Sequence, residues 1–178
     1  MLANKRYLGT VIAAAAIVAI VVSIVLLTQQ PQRGITIYTP MPSEKEGIRI
    51  EAVTEGASFK TDPVNGAIPL VKKGETLKVS GALVNAGTDR VEFTGLTRGL
   101  QVFDDNGVGV FGWLMIEDFA EPAILNPSDR FPVTASWGGK IMENGNPDKL
   151  IDAPPGKYTV RLLNVEPAGI AADIPIEV

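Results

Sequence analysis

Beyond residue 46 the chain alternates apolar and polar side chains with a period of two. Ile48, Ile50 and Ala52 alternate with Arg49, Glu51 and Val53, and Leu77, Val79, Gly81 and Leu83 alternate with Lys78, Ser80, Ala82 and Val84. Further along, Phe131, Val133, Ala135 and Trp137 share one face, as do Tyr158, Val160 and Leu162, and then Ala172, Ile174, Ile176 and Val178. Such alternation predicts half-buried strands. Between the runs lie turn signals, Asn85 to Asp89, Asp104 to Gly107, Asn126 to Asp129 and Glu166 to Gly169, whose Asn and Gly residues tolerate positive φ. Short strands at this spacing predict an all-β domain built as a two-sheet antiparallel sandwich over residues 47–178. Pro175 has no N–H to donate, which predicts an edge position for the last strand or pairing that begins after it.

Two stretches depart from the alternation. Val108 to Leu125, VGVFGWLMIEDFAEPAIL, carries more apolar side chains than one half-buried strand can hide. Either Trp113 to Ala120 folds as a short helix capping the sandwich, or part of the segment is an exposed apolar patch that another protein covers. Its candidate protein-binding residues are Phe111, Trp113, Leu114, Met115, Ile116 and Phe119. Ile35 to Tyr38 is a further candidate strand, isolated by the Pro-rich segment after it and free to join its own sheet or a neighbour's.

Tyr7 to Thr28 is an uncharged apolar run of 22 residues. At about 1.5 Å per residue it is long enough to cross the hydrocarbon layer of a bilayer. Lys5 and Arg6 directly precede it, so the positive-inside tendency predicts a cytoplasmic N-terminus of residues 1–6, a single transmembrane helix over 7–28, a linker over 29–46 and an outward-facing domain. Membrane lipid is therefore an expected partner of residues 7–28. The run ends without a small-x-small cleavage site, which favours an anchor over a cleaved signal.

Composition narrows the chemistry. The 178-residue chain has no cysteine and no histidine, which removes thiol nucleophiles, histidine triads, imidazole metal sites and disulfides. Its net charge is −4, and because Lys5 and Arg6 contribute +2 while all 20 acidic residues follow the apolar run, the remainder carries −6. A mildly acidic domain does not suit nucleic acid. No nucleophile elbow, phosphate loop or dinucleotide fingerprint occurs, and the adjacent Glu117 and Asp118 would point to opposite faces of a strand, so neither an enzyme nor a small-molecule substrate is expected.

The insert from Trp137 to Lys157 is rich in Gly, Asn, Asp and Pro, and it reads as an active-site loop, a metal loop or a long connection. Glu143, Asn144, Asn146, Asp148 and Asp152 supply oxygen ligands, as do Asp104, Asp105 and Asn106 in the earlier turn. None of them has the spacing of a calcium loop, so turns are the expectation, with no metal and no cofactor. Trp137 and Tyr158 are expected in the core, with the Tyr158 hydroxyl on a backbone partner in a tyrosine-corner manner.

From Leu77 to about Leu163 the order LKVSGALVNAGTDRVEF, LQVFDDNGVGVFGW, ILNPSDRFPVTASWGG and APPGKYTVRLLN resembles the intracellular proteinase inhibitor, or BsuPI-type, domain and related bacterial and archaeal immunoglobulin-like modules. The family's usual W-D-G is Trp137-Gly138-Gly139 here, and its L-x-P-G is Leu125-Asn126-Pro127-Ser128. The resemblance implies an immunoglobulin-like antiparallel β-sandwich and an association with protease inhibition, without naming inhibitory residues. Together these features predict a membrane-anchored module that acts by binding other membrane or envelope proteins, as an accessory subunit of a membrane complex or a cell-envelope binding or inhibitor module. The alternative is a pilin-like filament subunit, processed near Leu8-Gly9.

Overall fold

The computed structural model describes residues 38–56, 58–63 and 66–178. The predicted transmembrane helix and half of the predicted linker, residues 29–37, lie outside the described residues. Among the described residues no helix is long and apolar enough to cross a membrane, and indeed every regular element is a strand. The described part is all-β.

In chain order the strands are β1 (Glu44–Lys45), β2 (Ile48–Glu55), β3 (Ser58–Asp62), β4 (Gly66–Leu70), β5 (Leu77–Asn85) and β6 (Val91–Asp104). Then follow β7 (Gly109–Leu125), β8 (Arg130–Trp137), β9 (Lys140–Glu143), β10 (Asn146–Asp152), β11 (Lys157–Glu166) and β12 (Ile170–Glu177). One sheet has the order β1-β2-β5-β8 and the other β3-β4-β12-β11-β6-β7, while β9 and β10 pair as a separate hairpin. Pairing is antiparallel apart from one parallel bridge, Glu177 opposite Leu70, which departs from the purely antiparallel expectation. That bridge comes after Pro175: β12 pairs with β11 along its whole length, and β4 joins its other side only where Val71 N–H donates to Glu177 C=O at 2.9 Å.

The register explains the core. Val79 lies opposite Ala135, Gly81 opposite Val133 and Leu77 opposite Trp137, so one face of β5 and β8 is apolar. Leu162 lies opposite Leu100 and Ala172, and Val160 opposite Val102 and Ile174, which builds the facing apolar layer. Val79, Leu83, Val133, Leu100, Val102 and Leu162 meet between the sheets in one buried cluster, an arrangement consistent with a β-sandwich. Gly81 marks a close approach: a Cβ there would lie 2.5 Å from Glu51 C=O and 2.6 Å from Leu162 Cδ2.

Trp113 to Ala120 is not a helix but the middle of β7, a strand of 17 residues. Two glycines make the extended form fit. A Cβ on Gly99 of β6 would lie 2.3 Å from Trp113 C=O and 2.6 Å from Leu114 Cδ2, and Gly95 similarly lets Glu117 C=O approach. Four-residue helical periodicity in WLMIEDFA competes with this ladder and loses to cross-strand pairing.

The insert after Trp137 is mainly a hairpin. Asn144 and Gly145 both have positive φ, 51° and 72°, as a two-residue type I′ turn requires, and Ala153 N–H bonds Gly139 C=O at its base. Trp137 is buried, with Nε1 donating to Lys140 C=O at 2.7 Å, and the Tyr158 hydroxyl donates to Pro154 C=O at 2.9 Å. The segment is thus a hairpin connection from β8 to β11.

Gly81→Ala is expected to lower unfolding stability by about 1–3 kcal/mol through overpacking against backbone, whereas Gly138→Ala, with open space around its Cβ, stays within about 0.5 kcal/mol of wild type. Urea unfolding followed by tryptophan fluorescence checks both.

Candidate protein-binding surface

Among the described residues β7 is the last strand of the six-stranded sheet, with β6 as its one hydrogen-bonded neighbour there. Its ladder with β6 is regular from Phe111 to Asp118 and interrupted by irregularities on either side. Alternation splits the candidate residues between two faces. Phe111, Trp113 and Phe119 are half-buried and pack against the core between the sheets. Phe119 joins Phe93 and Phe131 in a cluster with ring centroids 5.7–6.0 Å apart. Leu114 and Ile116 point the other way and are 59% and 73% exposed. Met115 sits at the rim and is 44% exposed.

An arginine that the sequence did not single out organises the inner side of this edge. Arg98 of β6 lies opposite Met115, and its Nη2 bonds Glu117 Oε1 at 2.5 Å and approaches Met115 Sδ at 3.7 Å. Its Nη1 donates to Thr134 C=O of β8 at 3.3 Å, so one guanidinium ties the two sheets at their open side. Beside it runs a groove of about 450 Å³ lined by Lys78, Trp113, Met115, Thr134 and Ser136. A second hollow, about 330 Å³, is lined by Gln101, Phe103, Gly112, Leu114 and Met142. Unpaired backbone groups flanked by side-chain hollows are what strand addition uses: the backbone supplies affinity and the hollows supply selectivity.

A polar cluster on the outer face of the same sheet was also hidden from local pattern. Arg161 alternates with the apolar residues of β11, which predicts exposure, yet it is 3% exposed. Its Nε and Nη2 bond Asp173 at 2.7 and 2.8 Å, and its guanidinium lies 4.7 Å from the Tyr38 ring centroid and 5.2 Å from that of Phe103. Tyr38 N–H donates to Gly107 C=O at 2.7 Å and its hydroxyl donates to Asp173 Oδ2 at 2.8 Å. The described part of the predicted linker thus lies on the domain, as do Pro42 and Ser43, whose carbonyls accept from Ala171 and Ile50. Donation to the Asp173 carboxylate is the main reason the Tyr38 phenol is raised above its ordinary value of 10.0. Burial raises Tyr158 in the same direction.

The turn carboxylates have structural occupations. Asp104 Oδ1 accepts from Asn106 and Val108 N–H, and Asp152 is held low chiefly by its bonds to Lys140 and Lys73. Among the described residues no group of three or more acidic side chains is placed to hold a metal ion.

No protein-family model matches the chain, and no curated protein matches it. Solved structures similar to it include the β-glucosidase EmGH1 of Erythrobacter marinus, at 14% identity and TM-score 0.44, over 73% of this chain and 15% of that one. A Listeria innocua β-glucosidase in complex with isofagomine is similar over 85% of this chain and 20% of that chain, at 15% identity and TM-score 0.43. The Pseudomonas fluorescens alkylpurine DNA glycosylase AlkC, bound to DNA containing an abasic-site analogue, is similar over 76% of this chain and 32% of its own, at 12% identity and TM-score 0.40. The chain thus spans a third or less of these proteins, at likenesses too distant to transfer an activity.

The Tyr38 contribution to stability has a definite sign. The folded-state phenol keeps its proton to higher pH than the unfolded one, so the contribution is complete below pH 10 and is lost as pH rises through the raised value. Tyr38→Phe is expected to lose less stability than wild type over that alkaline window, as measured by urea unfolding at stepped pH.

Proposed function

We propose that the chain is a membrane-anchored binding protein, held by residues 7–28 with its domain outside, which engages other membrane or envelope proteins through β7. The observation that carries this reading is the apolar edge: Leu114, Met115 and Ile116 stand exposed on a strand that has a neighbour on one side of its sheet. Long apolar edge strands are templates for pairing with another chain, and natural proteins ordinarily blunt them with lysine, proline or bulges. The regular part of β7 has no lysine and no proline.

Support for the finer fold assignment, an immunoglobulin-like domain of the BsuPI type, comes from the buried Trp137 and from the Tyr158 hydroxyl on the carbonyl four residues upstream. Reach adds a constraint on the partner. Nine residues separate Thr28 from Tyr38, which holds the domain, and the ten Cα-to-Cα steps of an extended chain there span at most about 36 Å. A partner of this surface is therefore itself in the membrane or close to it.

Gentle detergent extraction followed by native mass measurement and subunit identification tests this reading. The expected result is an assembly larger than one copy that loses its partner in the Leu114→Ser/Ile116→Ser double variant, with stability changed by less than about 0.5 kcal/mol per site. An assembly unaffected by that variant overturns the assignment to β7, and a filament of this chain built through residues 7–28 replaces it with the pilin-like alternative.

A further inference from the structure

The chain enters the domain beside the start of β7. Tyr38 N–H donates to Gly107 C=O at 2.7 Å, and a Cβ on Gly107 would lie 3.2 Å from Tyr38 Cβ, so these two residues face each other. Val108 C=O accepts from Asp104 N–H at 3.0 Å, which turns the backbone groups of Val108 towards β6. In an extended chain the backbone groups of successive residues alternate in direction, so those of Gly107 and Gly109 turn away from β6. Val108 also stands in a β-bridge, although no described strand pairs with it. Its partner lies on the far side from β6.

We infer that residues 35–37, directly before the described chain, add an antiparallel strand to the starting edge of β7. The candidate strand at Ile35 to Tyr38 thereby joins its own sheet. The observed bond sets the register: a bond from Tyr38 N–H to Gly107 C=O brackets Ile37 opposite Val108, and the next pair, Thr36 and Gly109, exchanges two backbone bonds. Tyr38 lies on the outer face, against Phe103 and Arg161, so alternation sends Thr36 to that face and Ile35 and Ile37 to the inner one. The inner side there is apolar, since Val110 and Phe111 pack against the core. A slip of one residue would turn both isoleucines outward and break the bond at Tyr38. A parallel course would run along the turn from Asp104 to Asn106, away from β7, and would leave Val108 without its partner.

The added strand also deepens the binding role, a consequence that rests on the reading of β7 as a protein-binding surface. Residues 109–111 are closed from within the chain, and Gly112 to Asp118 is the stretch left for a partner. From Thr28 the free tether then ends at Ile35, and its seven Cα-to-Cα steps span at most about 25 Å. The partner's site is held that much nearer the bilayer.

A bracketed antiparallel pair brings its Cα atoms to about 4.5 Å, inside the range that a disulfide spans. The chain has no cysteine, so Ile37→Cys/Val108→Cys in the full chain, dispersed as single copies in dilute detergent, reads the register directly. Diamide, which takes up the two thiol hydrogens, is expected to close an intramolecular disulfide there at least tenfold faster than in Thr36→Cys/Val108→Cys or Ile37→Cys/Val53→Cys. In a chain without new thiols, Thr36→Pro removes one donor of the added strand and is expected to speed exchange of the Gly109 amide at least tenfold. Equal closure rates in the three pairs, or equal Gly109 exchange with and without Thr36→Pro, overturn the added strand. Fast closure with an assembly indifferent to Leu114→Ser/Ile116→Ser upholds the strand and removes only the binding role; slow closure with assembly lost in that variant does the reverse.

Discussion

An extended chain sends successive side chains to opposite faces, and a sheet that does not close ends in a strand with half of its backbone groups unpaired. Both constraints converge on β7. Because it is extended, Trp113 and Phe119 turn inward, Leu114 and Ile116 must turn outward, and no side-chain choice hides all of them. Because it is the last strand of its sheet among the described residues, the same segment also presents a backbone edge that no described strand pairs. The core is the favourable side of this arrangement: alternation in β2, β5, β8, β11 and β12 aligns their apolar faces into one layer between the sheets. Edge and core are two consequences of one periodicity.

Polar groups close the two-sheet structure where apolar packing stops. Arg98 bridges from β6 to Glu117 and to the backbone of β8 at the open side, and Asn85, fully buried, donates to Asp89 and Leu125 carbonyls while accepting from Gly87 N–H. On the outer face, Arg161 is taken out of water by two aromatic rings and a carboxylate that forms two bonds with it. Burying a guanidinium is costly unless its charge is matched, so Asp173 and Tyr38 act together as its environment. Tyr38 thereby fixes where the chain joins the domain.

Much of the architecture was legible in the sequence because period-two alternation is a local signal. Ile48 to Ala52, Leu77 to Leu83, Phe131 to Trp137 and Tyr158 to Leu162 turn the faces to the core that their alternation predicted. The segment Trp113 to Ala120 was ambiguous because its apolar density fits a helix as well as a strand, and what decides it is close approach at Gly95 and Gly99, residues of another strand. The burial of Arg161 was illegible for a related reason: its cover, Tyr38, lies far away in the chain. Alternation places a side chain on a face and says nothing about what else lands there. Of the candidate surface, the apolar excess of Val108 to Leu125 was legible, whereas its division into an inner set and an outer set needed the register, and Arg98 carried no signal of its own.

The central claim is that the edge of β7 from Gly112 to Asp118 is completed by another strand when the protein is assembled. Hydrogen exchange of these amides, in the full chain, assembled in membranes and dispersed as single copies in dilute detergent, tests it most directly. In dispersed copies alternate amides of the segment, those facing away from β6, should exchange rapidly; in the assembled protein they should slow by at least tenfold while those bonded to β6 change little. Equal exchange of the outward-facing amides in both states would contradict the account.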